Sequence, residues 1–87
     1  MAKAVRVRIR LFATYREIVG RGDAHWAGTE GATLGDLLAD LLARYPGLAG
    51  HRGSMLLAVN HEFADPSTVL RDGDEIAILP PVSGGLR

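Results

Sequence analysis

The side chains best suited to acid–base, nucleophilic or metal chemistry are few and widely spaced. His25, His51 and His61 have no partner at metal-ligand spacing, so we expect surface or turn positions for them and no metal site. The chain has no cysteine, which excludes disulfides, thiolate metal sites and a cysteine nucleophile. Neither Ser54 nor Ser83 sits in a nucleophile elbow. The sequence therefore shows no catalytic constellation of its own.

A stripe of three arginines, Arg6, Arg8 and Arg10, is suited to contact phosphates or an acidic partner, or to form the solvated face of a strand. The 87 residues include ten basic and ten acidic side chains, for a formal net charge of zero. Non-specific nucleic-acid binding needs a surplus of lysine and arginine to displace counterions. We therefore expect no nucleic-acid partner, whereas a protein partner stays open.

The last eight residues, 80–87, are the most informative stretch. The six residues from Pro80 to Gly85 could extend roughly 20 Å at about 3.3 Å each. The two prolines stiffen the start of this tail, and the two glycines remove side chains where a narrow pocket could close on the backbone. On composition alone, however, a frayed terminus is the better interpretation of Ser-Gly-Gly.

Two periodic segments must position these groups. Residues 4–12 alternate strictly between arginines and apolar side chains, which predicts a half-buried strand. Thr33 is the expected N-cap of the main helix, and Pro46-Gly47 stops it. The helix has an apolar face with i, i+3, i+4, i+7 spacing, formed by Leu34, Leu37, Leu38, Leu41, Leu42 and Tyr45.

Turn residues divide the rest of the chain into shorter elements. Thr14 is expected to cap a turn or short helix that Gly20 ends. Short strands are predicted at residues 24–27, 55–59, 62–63 and 75–79, the second of them buried. Asn60-His61 is expected to join residues 55–59 and 62–63 in a hairpin.

One amphipathic helix must cover one face of one sheet, so residues 1–87 are predicted to form a single two-layer α+β domain with a flexible tail from about residue 80. If the first two strands pair, the arrangement is the ubiquitin-like β-grasp, a mixed sheet with one main helix across one face. Pattern alone leaves other α+β topologies open. The expected core consists of Val7, Ile9, Leu37, Leu38, Leu41, Ile76 and Ile78.

Residue parity predicts apolar side chains on the opposite face of the sheet. Phe12 has the parity of the arginines, and Leu79 alternates with the two isoleucines of the last strand, so both are expected to point away from the helix. Phe63 could join them or fill the rim of the core. Two exposed apolar residues on one face suggest an interaction patch.

The sequence has no segment that suggests a membrane. No apolar run approaches the length of a membrane span, and the N-terminus lacks the apolar core of a signal peptide. We therefore expect a soluble, cytoplasmic protein with no membrane partner.

Five motifs, spread over nearly the whole chain, resemble the MoaD/ThiS sulfur-carrier family. The ending Pro-Pro-Val-Ser is more similar to the molybdopterin synthase small subunit than to the thiamin sulfur carrier. The motifs are Leu11-Phe12-Ala13, Arg16-Glu17-Ile18-Val19-Gly20, Ala58-Val59-Asn60, Asp72-Gly73-Asp74-Glu75 and Pro80-Pro81-Val82-Ser83-Gly84-Gly85.

The resemblance implies that the C-terminus itself is the reagent. An E1-like adenylyltransferase would use ATP and Mg²⁺ to adenylate Gly85, and a persulfide donor would convert the adenylate to a thiocarboxylate. The Gly84-Gly85 end would then enter the large subunit of molybdopterin synthase and donate sulfur to a pterin precursor. The chain itself would bind no cofactor. The resemblance also implies partner-binding roles for Phe12, Phe63, Leu79, Pro80, Pro81, Val82 and Ser83.

The sequence departs from the family at its end, because the family's mature tail stops at the second glycine and Leu86-Arg87 follow here. Either a protease removes these two residues, or they do not belong to the natural chain, or the carrier activity has been lost. Two further functions stay open: a sulfur carrier for thiamin, cysteine or a secondary metabolite after tail processing, and a ubiquitin-like protein modifier.

Overall fold

Five strands and two α-helices make up the part of the chain that the structure describes, residues 3–81 of a computed structural model. A 3-10 helix, Pro46–Ser54, follows the second α-helix. In chain order the other elements are β1 (Ala4–Leu11), α1 (Ala13–Val19), β2 (Asp23–Thr29), α2 (Leu34–Arg44), β3 (Leu56–Val59), β4 (Glu62–Phe63) and β5 (Glu75–Leu79).

The first and last strands lie side by side in the middle of one sheet, whose order is β2-β1-β5-β3-β4. β1 and β5 run parallel, whereas β1–β2, β3–β5 and β3–β4 are antiparallel. A mixed sheet with one main helix across one face is the β-grasp arrangement, so the predicted fold class is confirmed. The tail beyond Pro81 lies outside the described residues, and the domain bounds of 1–87 stay a prediction.

The alternation in β1 separates the two faces of the sheet. Val5, Val7, Ile9 and Leu11 are buried, and each residue between them is exposed. All seven residues predicted for the core are buried. We call the side of the sheet that carries the arginines the outer face, and the side covered by α2 the inner face.

Helix α2 begins with the predicted cap. Thr33 Oγ1 accepts a hydrogen bond from Asp36 N–H (3.2 Å), and Asp36 Oδ2 accepts one from Thr33 N–H (3.0 Å), so a complete capping box satisfies two free donors of the first turn. The helix ends at Arg44, just before Pro46. Leu42 and Tyr45 lie only partly buried, at the rim of the leucine face.

Helix α1 does not begin as predicted. Its N-cap is Phe12, not Thr14, and no side chain caps it. Ala13 has a φ of 53°, which turns the chain directly from β1 into the helix before Thr14 can act as a cap. Gly20 ends the helix in the left-handed conformation, as expected.

Three further boundaries differ from the predictions. β2 extends from Asp23 to Thr29 because it pairs with β1 along its whole length. The 3-10 helix was not predicted, and it buries Leu48. In β3, residues 55–59 are not uniformly buried, since Leu56 and Val59 stay half-buried.

The predicted hairpin between β3 and β4 is confirmed. Asn60 and His61 have φ values of 51° and 73°, as a tight hairpin turn requires. The Asn60 side chain donates to Asp74 Oδ1 (2.9 Å) and accepts from Glu75 N–H (3.0 Å), so it ties the hairpin to the turn before β5.

No helix within residues 3–81 is long and apolar enough to cross a membrane.

Candidate partner-docking surface

The outer face carries an apolar patch where β1 and β5 end. Ile78 and Leu11 are the last paired residues of the β1–β5 ladder, so the next residues, Leu79 and Phe12, follow side by side where these two strands separate. Leu56 pairs with Leu79 from the other side. We call Phe12, Leu79 and Leu56 the apolar patch. Its position confirms the outward orientation that parity predicted for Phe12 and Leu79.

Phe12 is partly held by Arg10. The Arg10 guanidinium lies 5.8 Å from the centre of the Phe12 ring and forms an ion pair with Glu75 (Nη1–Oε2, 3.2 Å). The Phe12 side chain nevertheless stays 37% exposed. Both charged partners are at the surface, so this arrangement orients the ring more than it stabilises the fold.

Phe63 lies next to the apolar patch on the outer face. It pairs with Ala58, which in turn pairs with Ala77, and its side chain is 79% exposed. The structure thus places Phe63 outside the core, and the alternative of filling the core rim is wrong.

A polar turn follows β4. The Ser67 hydroxyl and, to a smaller extent, the Ser67 backbone N–H donate hydrogen bonds to Asp65, and these bonds hold the pKa of the Asp65 carboxyl below its usual range.

Sequence reasoning missed Leu56 as a member of the patch. Residues 55–59 read as one apolar run, which hid the alternation between Leu56 and Leu57. The signal that could have revealed it is pairing: once Ile78 is assigned to the inner face, its partner Leu57 must face inward and Leu56 outward.

The chain leaves the sheet directly beside the apolar patch. Pro80 is half-buried and Pro81 exposed, and Pro80 has no N–H with which to continue the ladder. The other predicted tail residues lie outside the described residues: Val82, Ser83, Gly84, Gly85, Leu86 and Arg87.

The histidines are not assembled into a site. His25 and His61 are exposed, and the His51 ring stacks edge-on against Tyr15, 5.5 Å between centroids. Within residues 3–81 no three metal-ligating side chains come together. The three histidines therefore do not form a shared site.

A β-grasp sheet with a partly exposed apolar patch beside its last strand is the class of fold and surface that the described residues define. Comparisons with known proteins identify the family. The model of the ThiS family matches residues 9–85. The chain belongs to the ThiS family.

Similar proteins come from plants and archaea. The molybdopterin synthase sulfur carrier subunit of Arabidopsis thaliana is 35% identical over 82 residues, which cover 94% of this chain and 85% of that protein. Small archaeal modifier protein 3 of Haloferax volcanii is 37% identical over 92 aligned positions, covering 93% of this chain and all of that one.

Solved structures share the fold. The crystal structure of SAMP1 from Haloferax volcanii has a TM-score of 0.80 at 31% identity, covering 92% of this chain and 99% of that one. The complex of subunits 1 and 2 of the molybdopterin-converting factor from Helicobacter pylori includes a chain with a TM-score of 0.67 at 30% identity, covering 93% of this chain and all of that one.

Proposed function

We propose that this protein is a cytoplasmic sulfur carrier that donates sulfur in molybdopterin biosynthesis. The sulfur atom would be carried on the C-terminal carboxyl group of Gly85. Relatives named as molybdopterin synthase sulfur carrier subunits support the pathway. The observation that carries the proposal is the position of the apolar patch. The chain leaves β5 at Leu79, beside Phe12, so a partner that docks on the patch would lie next to the start of the tail.

The chemistry proposed for the tail starts with a carboxylate. A carboxylate oxygen of Gly85 attacks the α-phosphate of ATP, and pyrophosphate leaves. The terminal sulfur of a persulfide donor then displaces AMP at the carbonyl carbon to give an acyl disulfide. A thiol cleaves the S–S bond of this intermediate, which releases the thiocarboxylate and leaves a disulfide between the thiol and the donor. An E1-like adenylyltransferase would supply the ATP and Mg²⁺ site, and the chain itself would hold no cofactor.

The acceptor subunit is the second proposed partner. The large subunit of molybdopterin synthase would bind the same outer face, and the Helicobacter pylori complex, which joins two subunits of a molybdopterin-converting factor, supports this. Phe12, Phe63 and Leu79 would form the contact, and Pro80, Pro81, Val82 and Ser83 would line the path of the tail. Gly84 and Gly85 would pass where side chains do not fit.

Processing of the tail is part of the proposal. In the sequence as it stands, Gly85 is joined to Leu86 by an amide, and an amide oxygen is a poor nucleophile for phosphorus. Arg87 would also place a large cation where the partner is built for glycine. We therefore propose that a protease exposes Gly85 before activation.

The test compares the full-length chain with a chain truncated after Gly85. Each is incubated with the cognate E1-like enzyme and ATP. Only the truncated chain should support pyrophosphate exchange and, with a persulfide donor, gain the mass of an oxygen-to-sulfur replacement. Equal activity of verified, untrimmed full-length protein would falsify the processing step. Inactivity of both chains counts against the carrier function itself.

A protein-modifier function is the second candidate, favoured by the similarity to small archaeal modifier protein 3. The two functions differ in the fate of the activated tail: a carrier releases sulfur and is recovered, whereas a modifier ends in an amide with a lysine. Mass spectrometry of tryptic digests from native cells separates them. A modifier leaves residues 72–85 linked through Gly85 to a substrate lysine, because Arg71 is the last trypsin site before Gly85, whereas a carrier leaves no such branch.

A further inference from the structure

A basic pocket lies beside the apolar patch, at the end of β1. It is lined by Phe12 and by the charged or small residues Arg8, Arg10, Arg16, Gly22 and Asp23. These residues come from β1, from α1 and its N-cap Phe12, and from the turn that leads into the first residue of β2. The pocket opens on the same side of the molecule as Phe12, so a ligand of the patch reaches both.

The charges in the basic pocket are not balanced. Arg10 is neutralised by Glu75, and this is the only ion pair within residues 3–81. Arg8 and Arg16 make no ion pair within that range, and Asp23 is the one acidic residue of the pocket lining. The whole chain has no net charge, so the excess of positive charge is a local property of this pocket.

The fold brings the guanidinium groups of the pocket close to one another. Arg8 and Arg10 point to the same face of β1 and are two residues apart, about 6.6 Å along the strand. Arg16 crosses from α1 over the backbone of Gly22, where an added Cβ would lie 3.4 Å from Arg16 Nε. Each guanidinium carries a planar fork of donors, and this fork matches the geometry of a carboxylate.

We propose that the basic pocket receives an aspartate or glutamate side chain of the protein partner that docks on the apolar patch. The inference rests on the proposed function, because it assigns a chemical feature to that partner. A carboxylate beside an apolar anchor uses both halves of the surface, whereas a free anion would leave Phe12 in water. Arg8 and Arg16 then select the partner, and Phe12 supplies the apolar contact.

The experiment measures binding of the chain truncated after Gly85 to the cognate E1-like enzyme, by calorimetry at 50 and 300 mM NaCl. The variants are Arg8→Ala and Arg16→Ala. Arg44→Ala is the matched control, since it removes one positive charge from an exposed site at the end of α2. Each pocket variant should lose about tenfold in affinity at low salt and less at high salt, whereas the control stays within about twofold.

A second variant separates geometry from charge. Arg16→Lys retains the charge but replaces the planar fork of donors with a single ammonium, so we expect a several-fold loss of affinity; Arg44→Lys, at the exposed end of α2, is its control. Wild-type protein that fails to bind would refute the proposed function. Wild-type binding with pocket variants equal to Arg44→Ala would overturn the pocket alone. Saturable binding of inorganic phosphate below 1 mM, followed by NMR shifts of Arg8 and Arg16, would also overturn it, as a phosphate site.

Discussion

The eight residues of β1 alternate between the inner and outer faces of the sheet, and the two faces differ in burial and in charge. Valine, isoleucine and leucine on the inner face are buried under α2, whereas Arg6, Arg8 and Arg10 on the outer face reach into solvent. Burial of apolar area stabilises the fold by about 25 cal/mol per Å², and exposed charges contribute little. The difference separates two tasks, because the inner face supplies the buried core and the outer face is the one that we propose binds the partner.

The variant Leu41→Ala tests this separation and should have the largest effect. Leu41 is 5% exposed in the leucine face of α2, so the truncation should lower the free energy of unfolding by about 2–5 kcal/mol. Urea denaturation measures the change. Leu42→Ala, at a half-buried neighbour, should cost clearly less. A Leu41→Ala loss below that of Leu42→Ala would contradict the assignment of the inner face.

The opposite test removes apolar atoms from the outer face. Phe12→Ala and Leu79→Ala should each weaken binding to the E1-like enzyme by about 2 kcal/mol, as apolar anchors at interfaces do, and should leave the thermal midpoint nearly unchanged. Calorimetry and thermal denaturation supply the two readouts. Val69→Ala is the control, since Val69 is 56% exposed and bridges to Thr33 at the start of α2 rather than pairing with a strand of the patch. Normal binding by both variants would show that the patch is incidental.

A smaller effect is expected where α2 begins. Thr33→Ala removes the acceptor for Asp36 N–H and should cost about 1 kcal/mol of folding stability, whereas Thr33→Ser keeps the hydroxyl and should cost little. Partner affinity should not change for either variant, because the cap belongs to the helix that covers the inner face. Chemical denaturation of the pair is the measurement, and equal losses would mean that the methyl group, not the cap, matters.

The smallest effect concerns pH. Burial raises the pKa of the Tyr15 phenol above its ordinary value of 10.0, so the folded protein favours the neutral form. Well below pH 10 the phenol is neutral in both states and the full stability is present. As the pH rises through the folded pKa, the unfolded state ionises first and stability falls. Tyr15→Phe should therefore lose less stability between pH 9 and 11 than wild type, and identical alkaline profiles would refute this.

Local periodicity explains which parts of the molecule were predictable. The strand β1 and the leucine face of α2 follow from spacings within a few residues, and Thr33 with Asp36 is a local cap. The bounds of β2 depend on its pairing with β1, from Ala4 with Thr29 to Arg10 with Asp23. The 3-10 helix has no periodic pattern, and its one buried residue, Leu48, becomes informative only against the packed core.

The docking surface was predictable only in part, for the same reason. Parity alone gave the outward orientation of Phe12 and Leu79. The basic pocket depends on contacts between elements, because Arg16 belongs to a helix and reaches Gly22 in the following turn. The relation of Leu56 to Leu79 likewise needs the register of β3 against β5. Such contacts carry no signature in a single stretch of sequence.

The parallel pairing of β1 and β5 has a practical consequence for labelling. The chain enters the sheet at one end and leaves it at the other, so Lys3 and Leu79 are separated by roughly the length of β1, about 25 Å. Lys3 is the one lysine in the sequence and is exposed. A fluorophore or a sensor surface coupled to its amine therefore sits at the opposite end of β1 from the apolar patch and from Pro80.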